Sequence, residues 1–403
     1  MRIPGDVQYV LSKLETHGFE AYLVGGCVRD FLRGQMPHDF DVATRARPEE
    51  IAQVFFDDRV IPTGVQHGTV TVLHGGTAVE VTTFRTDGSY GDGRHPDFVR
   101  FSDSLIEDLS RRDFTVNAMA MDVSAHILDP YDGQRDLHAR CLRAVGDPMK
   151  RMTEDALRIL RAFRFASVLD FEIEPCTLEA AFALAPRLFL VSRERIFTEL
   201  ERLLCGRAAA GVLGQILLGG VLNHIFSAPK VNCCAPSYIE KLPLRADVRF
   251  AALLLGDSRA KEHVCSLKPP SAFSNRVTSI LNCPPLIELS APALRRILAD
   301  AGREVALDRA QIDMYESGNQ ETYRLLQRIL SEESCLSIRD LQIGGQDVLT
   351  YTSLRGKQVG EALHAVLYAV FDGKIPNTRT EALAFLQAVY ANAPDPSKKV
   401  DKQ

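Results

Sequence analysis

Residues 21–41 of the chain read AYLVGGCVRDFLRGQMPHDFD, and this stretch decides the fold. Residues 21–24 are a short apolar run typical of a buried strand, and the run stops at two glycines. A helical segment is expected next, and residues 39–43 then alternate as a second strand. Glycines between a strand and a helix let the backbone approach a phosphate, while the helix start supplies N–H donors. The stretch predicts an α/β unit with a phosphate site at the turn, with a purely structural turn as the alternative.

Two aspartates stand at alternate positions of the second expected strand. Asp39 and Asp41 therefore point to the same side, and Phe40 between them points to the core. Two carboxylates so close repel each other unless a cation lies between them, and their hard oxygen ligands suit Mg²⁺. Alone, the pair could equally be two exposed acids on a strand edge. The glycines before it favour a site where carboxylates hold metal and the backbone holds phosphate, as nucleotidyl transfer requires.

Glu80 lies in a further alternating segment, residues 79–84, among apolar and threonine neighbours. It is a candidate third carboxylate on an adjacent strand, or else a solvent-facing residue of that strand. Downstream, residues 111–118 read RRDFTVNA. Two adjacent arginines suit a triphosphate or RNA, and Asp113 and Asn117 could hold sugar hydroxyls. The alternative for this segment is an ordinary basic helix end.

Residues 154–165 read EDALRILRAFRF, and the pattern predicts a helix over residues 153–168 with Thr153 as its N-cap. On such a helix Asp155 and Arg158 share one face. Cytosine and adenine both carry an amino donor beside a ring-nitrogen acceptor, so a carboxylate and a guanidinium together would select these two bases. A common surface ion pair between Glu154 and Arg158 is the alternative.

The chain has 403 residues and a formal net charge of −5. That length exceeds one hydrophobic core, so at least two units are expected, and residues beyond 146 have mostly helical patterns. The negative net charge argues weakly against RNA as a binding partner. Residues 140–164, however, contain seven basic residues and only three acidic ones. The sequence has no apolar run of about 18 residues and no signal peptide, so a cytoplasmic location is expected. Nine cysteines without a CxxC motif predict buried thiols rather than zinc ligands.

Taken in order, GGCVRD, DFD, EVTTFR, RRDFTVNA and EDALRILRAFRFA resemble the class II CCA-adding tRNA nucleotidyltransferases and their bacterial poly(A) polymerase relatives. The resemblance is dense over residues 20–205 and looser from there to the end. It implies an α+β fold in which a polymerase-β-like nucleotidyltransferase head with a mixed sheet precedes an all-α neck, body and tail. The implied boundaries are 1–145 for the head, 146–205 for the neck, 206–330 for the body and 331–403 for the tail. The implied substrates are tRNA, CTP and ATP.

The resemblance also implies a role for individual residues. Asp39 and Asp41 would hold two Mg²⁺ ions, with Glu80 as a further catalytic candidate. The residues expected to bind nucleotide are Gly26, Arg29, Arg112, Asp155, Arg158, Arg161 and Arg164. Among these, Asp155 and Arg158 would act as a protein template for the base. The glycine-rich residues 86–97 correspond to a mobile loop that CC-adding relatives lack, which favours a full CCA-adding or an A-adding enzyme.

Three alternatives stay open from the sequence. The chain could add only A, or it could be a poly(A) polymerase, although such an enzyme is expected to be longer and more basic at its C-terminus. It could also be a non-catalytic nucleotide-sensing or tRNA-binding protein, against which the retained aspartate pair argues. The only His-Asp dipeptide is His38-Asp39, so a metal phosphohydrolase domain is not expected. The oligomeric state is left open, with a homodimer among the alternatives, and residues 231–247 match no motif.

Overall fold

The computed structural model describes residues 3–87, 99–332 and 334–390. The chain divides into two compact units. The first comprises residues 1–240 and 262–269, and the second comprises residues 241–261 and 270–403. The expected loop over residues 86–97 falls almost entirely outside the described residues.

All strands of the described residues lie in the first unit. They are β1 (Ala21–Val24), β2 (Phe40–Thr44), β3 (Arg59–Gly64), β4 (Thr69–His74), β5 (Thr77–Thr83), β6 (Arg85–Asp87), β7 (Val99–Phe101), β8 (Ala120–Met121), β9 (Ile127–Leu128), β10 (Cys141–Leu142) and β11 (Glu172–Ile173). Seven of them form one mixed sheet in the order β3-β4-β5-β2-β1-β8-β9. β2 pairs parallel with β5 and antiparallel with β1. This mixed sheet, followed along the chain by helices, confirms the predicted α+β fold with a polymerase-β-like head.

The helices of the described residues follow in chain order. They are α1 (Gly5–Thr16), α2 (Gly26–Leu32), α3 (Pro48–Val54), α4 (Leu105–Ser110), α5 (Gly133–His138), α6 (Pro148–Glu154), α7 (Leu157–Leu169), α8 (Pro175–Leu184), α9 (Arg193–Leu204), α10 (Ala209–Leu218), α11 (Ala246–Leu253), α12 (Ala260–Ser266), α13 (Ser271–Asn282), α14 (Ala291–Ala301), α15 (Arg303–Ser317), α16 (Glu321–Glu332), α17 (Gly345–Tyr351), α18 (Lys357–Phe371) and α19 (Arg379–Tyr390). None of these described helices combines the length and the apolar character needed to cross a bilayer.

The core of the sheet is covered by helix α1. Its residues Val7, Val10, Leu11 and Leu14 follow helical spacing, are fully buried, and join the apolar residues of the strands in one cluster. Burying each such side chain contributes about 1.5–3 kcal/mol. Phe40 belongs to the same cluster and is 7% exposed, which confirms that it points to the core. This packing fixes strand β2, which carries the candidate metal ligand Asp41 and directly follows Asp39.

The second unit is helical throughout its described part, and a separate apolar cluster forms around α18. Ala362, Val366 and Leu367 of α18 are fully buried in this cluster, together with Leu386 of α19. Residues at i, i+4 and i+5 lie on one side of a helix, so α18 presents a continuous apolar stripe. The predominance of helices beyond residue 146 is confirmed.

Two local expectations were wrong. Strand β2 begins at Phe40, so Asp39 lies in the bend before it and is exposed. The continuous helix over residues 153–168 is also absent, because Asp155 has an extended backbone (φ −135°, ψ 108°) between α6 and α7. The Asp155 carboxylate accepts a hydrogen bond from the backbone N–H of Leu157 at 2.9 Å, an alternative that competes with helix continuation. Thr153 is not the N-cap of a helix. It lies in the last turn of α6, and its hydroxyl donates a hydrogen bond to the backbone carbonyl of Met149.

Candidate active site

The sheet places three carboxylates near one another at the start of β2. Asp41 faces Glu80 across the parallel pairing of β2 with β5, as the sequence suggested, and Asp39 precedes the strand. Burial raises the pKa of Asp41, and the negative charges of Glu80 and Asp39 raise it further, while Arg112 opposes this. Glu80 and Asp39 are both exposed. The three side chains therefore form a site of mutual repulsion that a cation would relieve.

The glycine turn lies directly against this site. Gly25 has a φ of +77°, and a Cβ at this residue would lie 2.9 Å from Nη1 of Arg112 and 3.7 Å from Oδ2 of Asp41. A side chain there would be strained in conformation and would intrude on both groups. At Gly26, the residue expected to bind nucleotide, a Cβ would meet nothing nearer than Nη2 of Arg29, at 3.5 Å. Gly25 is thus the glycine that the site itself requires.

Arg111 and Arg112 both form an ion pair with the same buried carboxylate. Asp108 on α4 is fully buried, accepts from Nη2 of Arg111 at 2.7 Å, and accepts from Nη2 of Arg112 at 3.0 Å. Burial raises the pKa of Asp108, but the two guanidinium charges outweigh it and the pKa is lowered. Sequence reasoning missed Asp108, although its i, i+3 and i, i+4 spacing to the arginines was the available signal.

A second set of hydrogen bonds joins helix α2 to helix α7. Nη1 of Arg29 donates to Oδ1 of Asn117 at 2.6 Å, and Nδ2 of Asn117 donates to Oδ1 of Asp113 at 3.1 Å. Nη2 of Arg161 donates to Oδ2 of Asp113 at 2.5 Å. Burial alone would raise the pKa of Asp113, yet the charge of Arg161 and the two side-chain hydrogen bonds hold it well below its ordinary range. These residues therefore fix one another before any ligand arrives.

The candidate base-recognition residues lie at the start of α7. Asp155 accepts from Nη2 of Arg195 at 3.1 Å, in addition to the N–H of Leu157. Arg158 donates to Oε2 of Glu154 at 2.7 Å and to the backbone carbonyl of Arg111 at 2.8 Å. The side chains of the two residues are not bonded to each other, although the backbone N–H of Arg158 donates to the carbonyl of Asp155 at 2.9 Å. Each is instead held by other residues of the chain.

Farther along α7, Arg164 is held by helix α9. Its Nε donates to Oε2 of Glu199 at 2.5 Å, and its guanidinium lies 3.7 Å from the centre of the Phe165 ring. Burial lowers the pKa of Arg164, although the Glu199 charge opposes this. On α9, Arg195, Glu199 and Arg202 follow one another at i, i+4 and i+7 and so share a face. Sequence reasoning missed all three because no local motif links them to the site.

These side chains surround a cavity of about 470 Å³. It is lined by Gly25, Gly26, Arg29, Asp41, Arg111, Arg112, Asp113, Asn117, Asp155, Arg158, Arg161, Arg164, Phe165, Arg195 and Arg202. The lining contains eight arginines and three aspartates, and guanidinium groups suit the oxygens of a triphosphate. The cavity brings together every predicted site residue except Asp39 and Glu80. Within the described ranges no three His, Cys, Asp or Glu side chains are arranged to hold a metal ion.

Three family models match separate segments of the chain. Residues 21–143 match the poly A polymerase head domain, which contains the whole seven-stranded sheet. Residues 170–233 match the "Probable RNA and SrmB- binding site of polymerase A", and residues 249–386 match "tRNA nucleotidyltransferase domain 2 putative". The fold and the carboxylate-and-arginine cavity thus define an RNA nucleotidyltransferase with a polymerase-type head.

Similarity to known proteins over nearly the full length of the chain identifies a more specific family within this class. The chain is 36% identical to a CCA-adding enzyme of Streptococcus suis over 394 residues, covering 95% of this chain and 96% of the relative. Among solved structures, the Bacillus stearothermophilus CCA-adding enzyme in complex with CTP is similar at a TM-score of 0.78 and 34% identity, covering 95% and 96% of the two chains. The Thermotoga maritima CCA-adding enzyme complexed with tRNA shares the fold at a TM-score of 0.71 and 21% identity, with 96% of each chain covered. The chain belongs to the family of CCA-adding enzymes.

Proposed function

We propose that the chain adds C, C and A in sequence to the 3′ end of tRNA from CTP and ATP, releasing pyrophosphate, and that the cavity described above carries this reaction. The observation that carries the proposal is the arrangement of one cavity with two chemically distinct ends. Asp41, Gly25 and Arg112 lie at the end that suits metal and phosphates. Asp155 and Arg158 lie at the end that suits a base.

At the phosphate end, Asp39 and Asp41 would hold Mg²⁺, with Glu80 beside them. The raised pKa of Asp41 and the mutual repulsion of the three carboxylates fit a divalent cation at this place. Two bound metal ions would activate the attacking hydroxyl and stabilise the leaving pyrophosphate. Arg112, fixed by Asp108, would bind the phosphates that Gly25 allows to approach the backbone.

At the base end, Asp155 would accept the amino hydrogen of cytosine or adenine, and Arg158 would donate to the neighbouring ring nitrogen. Both side chains are positioned beforehand, since Arg195 holds Asp155 and Glu154 holds Arg158. Guanine and uracil would place a carbonyl against the Asp155 carboxylate. Such a mismatch leaves buried polar groups without partners and is strongly rejected.

Between the two ends, Arg29, Asn117, Asp113 and Arg161 would hold the ribose and complete the pocket. Arg164 lies on the ring of Phe165, so it would support the pocket through stacking and through Glu199.

The domain division into head (1–145), neck (146–205), body (206–330) and tail (331–403) also belongs to this proposal. The neck, body and tail would bind tRNA by shape and backbone, in the cytoplasm. Residues 86–97, most of which lie outside the described residues, would serve the switch from C to A.

Product length on tRNA that ends at the discriminator base tests the proposal. With CTP and ATP together, three added nucleotides are expected; with CTP alone, two; with ATP alone, none. Addition of a single A to tRNA ending in CC, without any addition of C, would identify an A-adding enzyme. A long A tail would identify a poly(A) polymerase. Binding of tRNA and nucleotide without any extension would identify the non-catalytic alternative.

A further inference from the structure

Among the eight arginines that line the cavity, seven are paired with carboxylates of the chain. The ion pairs are Arg29 with Asp30, Arg111 and Arg112 with Asp108, Arg158 with Glu154, Arg161 with Asp113, Arg164 with Glu199, and Arg195 with Asp155. Within residues 3–87, 99–332 and 334–390, the guanidinium of Arg202 has no ion pair and no hydrogen bond, and the residue is exposed. Its five N–H donors are therefore available to an anion that is not part of the protein.

The position of Arg202 follows from the way α9 lies along α7. Arg195 contacts Asp155 before the first turn of α7, Glu199 contacts Arg164 farther along, and the hydroxyl of Ser167 donates to the carbonyl of Leu203 near the end of both helices, at 2.6 Å. The two helices therefore run in the same direction. Arg202 is seven residues, or about 10 Å of helix, beyond Arg195. Arg202 therefore lies farther along the paired helices than Asp155 and Arg158 do.

The incoming nucleotide already has partners for each of its parts under the proposed function. Its phosphates would meet Gly25, Arg112 and the metal-binding aspartates, and its base would meet Asp155 and Arg158. The remaining anion that must enter the same cavity is the backbone of the RNA whose 3′ hydroxyl attacks. A guanidinium matches a phosphodiester because it can donate two parallel hydrogen bonds.

We infer that Arg202 binds a backbone phosphate close to the 3′ end of the tRNA and so guides that end towards Asp41. Arg202 also lies inside the segment, residues 170–233, that matches the polymerase RNA-binding family model. The inference rests on the proposed function but concerns RNA binding alone, so it can be tested without turnover.

The test compares Arg202→Ala with Arg207→Ala. Arg207 is exposed, lies five residues farther along and does not line the cavity, so its removal matches the change in net charge. In nucleotide-free binding assays Arg202→Ala should weaken affinity for CCA-less tRNA about tenfold, the loss of one charged hydrogen-bonded contact. The slope of log affinity against log salt should also fall by roughly 0.7. Arg207→Ala should change neither quantity by more than a small fraction, and Arg202→Lys should restore the salt slope.

A second measurement locates the phosphate. One methylphosphonate, which carries no charge, replaces each of the last three linkages of the tRNA in turn. At one position it should weaken binding to the wild-type enzyme and have no further effect on Arg202→Ala, since both changes remove the same contact. Additive losses at all three linkages would overturn the inference. So would a raised KM for CTP with unchanged RNA affinity, which would assign Arg202 to the nucleotide. Failure of CCA addition by the wild-type enzyme would instead contradict the proposed function and leave these binding results valid.

Discussion

Asp41 and Asp113 line the same cavity, but the pKa values of their carboxylates are shifted in opposite directions. Asp113 is surrounded by donors from Asn117 and Arg161, and its pKa is held far below the ordinary range. Asp41 is partly buried beside Glu80 and Asp39, and its pKa is raised. A satisfied carboxylate supports the structure, whereas an unsatisfied one is available for a ligand. The comparison therefore separates a carboxylate whose charge the protein itself stabilises from one whose charge is left for a cation to stabilise.

The largest effect is expected at the unsatisfied carboxylate. Asp41→Ala should lower incorporation of both C and A by roughly 10⁴-fold or more, because the proposed metal that would stabilise the transferring phosphate would lose its ligand. Affinity for tRNA should stay within a few-fold of wild type. Single-turnover extension of CCA-less tRNA measures the first quantity, and filter binding measures the second. Wild-type turnover in this variant would place the metal site elsewhere.

Base selection should change by a smaller factor. Asp155→Ala should reduce the preference for CTP and ATP over UTP and GTP by about 10²–10³-fold, because Arg158 keeps only half of the recognition pair. The measurement is incorporation of each of the four nucleotides, expressed as kcat/KM. Arg195→Ala is the matched variant, since it removes the partner that orients Asp155 without touching the base. Arg195→Ala should lose part of the selectivity. If Asp155→Ala keeps full wild-type selectivity, Asp155 does not take part in base recognition.

The satisfied carboxylate should matter for stability. Asp113→Asn should lower the free energy of unfolding at pH 7 by about 3 kcal/mol, because it breaks the ion pair of a buried carboxylate and leaves Arg161 without its partner. The pKa of Asp113 is lower in the folded protein than in the unfolded chain. Its contribution is therefore present above the unfolded pKa, near 4, and is lost as the pH falls. Urea unfolding at pH 7 and at pH 3 should show the variant approaching the wild type at the lower pH.

An equal deficit at both pH values would contradict the assignment of Asp113 as a charged structural group. Ser110→Ala is a suitable control, because the hydrogen bond from its hydroxyl to the backbone carbonyl of Glu107 is exposed. That variant should change the free energy of unfolding by less than about 1 kcal/mol at either pH.

The sequence could predict those parts of the site that depend on local pattern. Strand β1 was expected at residues 21–24 and occurs there, and Phe40 packs into the core because alternation in a strand is strict. The break at Asp155 was missed because a side chain that accepts from the backbone two residues later competes with helix propensity. Arg195 was missed for a different reason. It reaches Asp155 from forty residues away, and that contact depends on how two helices pack.

The smallest expected effect concerns the free energy of unfolding, which the charge of Asp41 is expected to lower. Burial and two neighbouring carboxylates disfavour its charge, and Arg112 compensates only in part. Asparagine has the same shape and no charge, so Asp41→Asn should raise the free energy of unfolding of the metal-free protein by up to about 1 kcal/mol at pH 7, while activity is lost. Excess Mg²⁺ should stabilise the wild type and not the variant, because under the proposed function only the wild type would bind it here. Denaturant midpoints with EDTA and with Mg²⁺ measure both effects. A metal-free variant less stable than the wild type would mean that Arg112 more than satisfies Asp41, and the contrast with Asp113 would then fail.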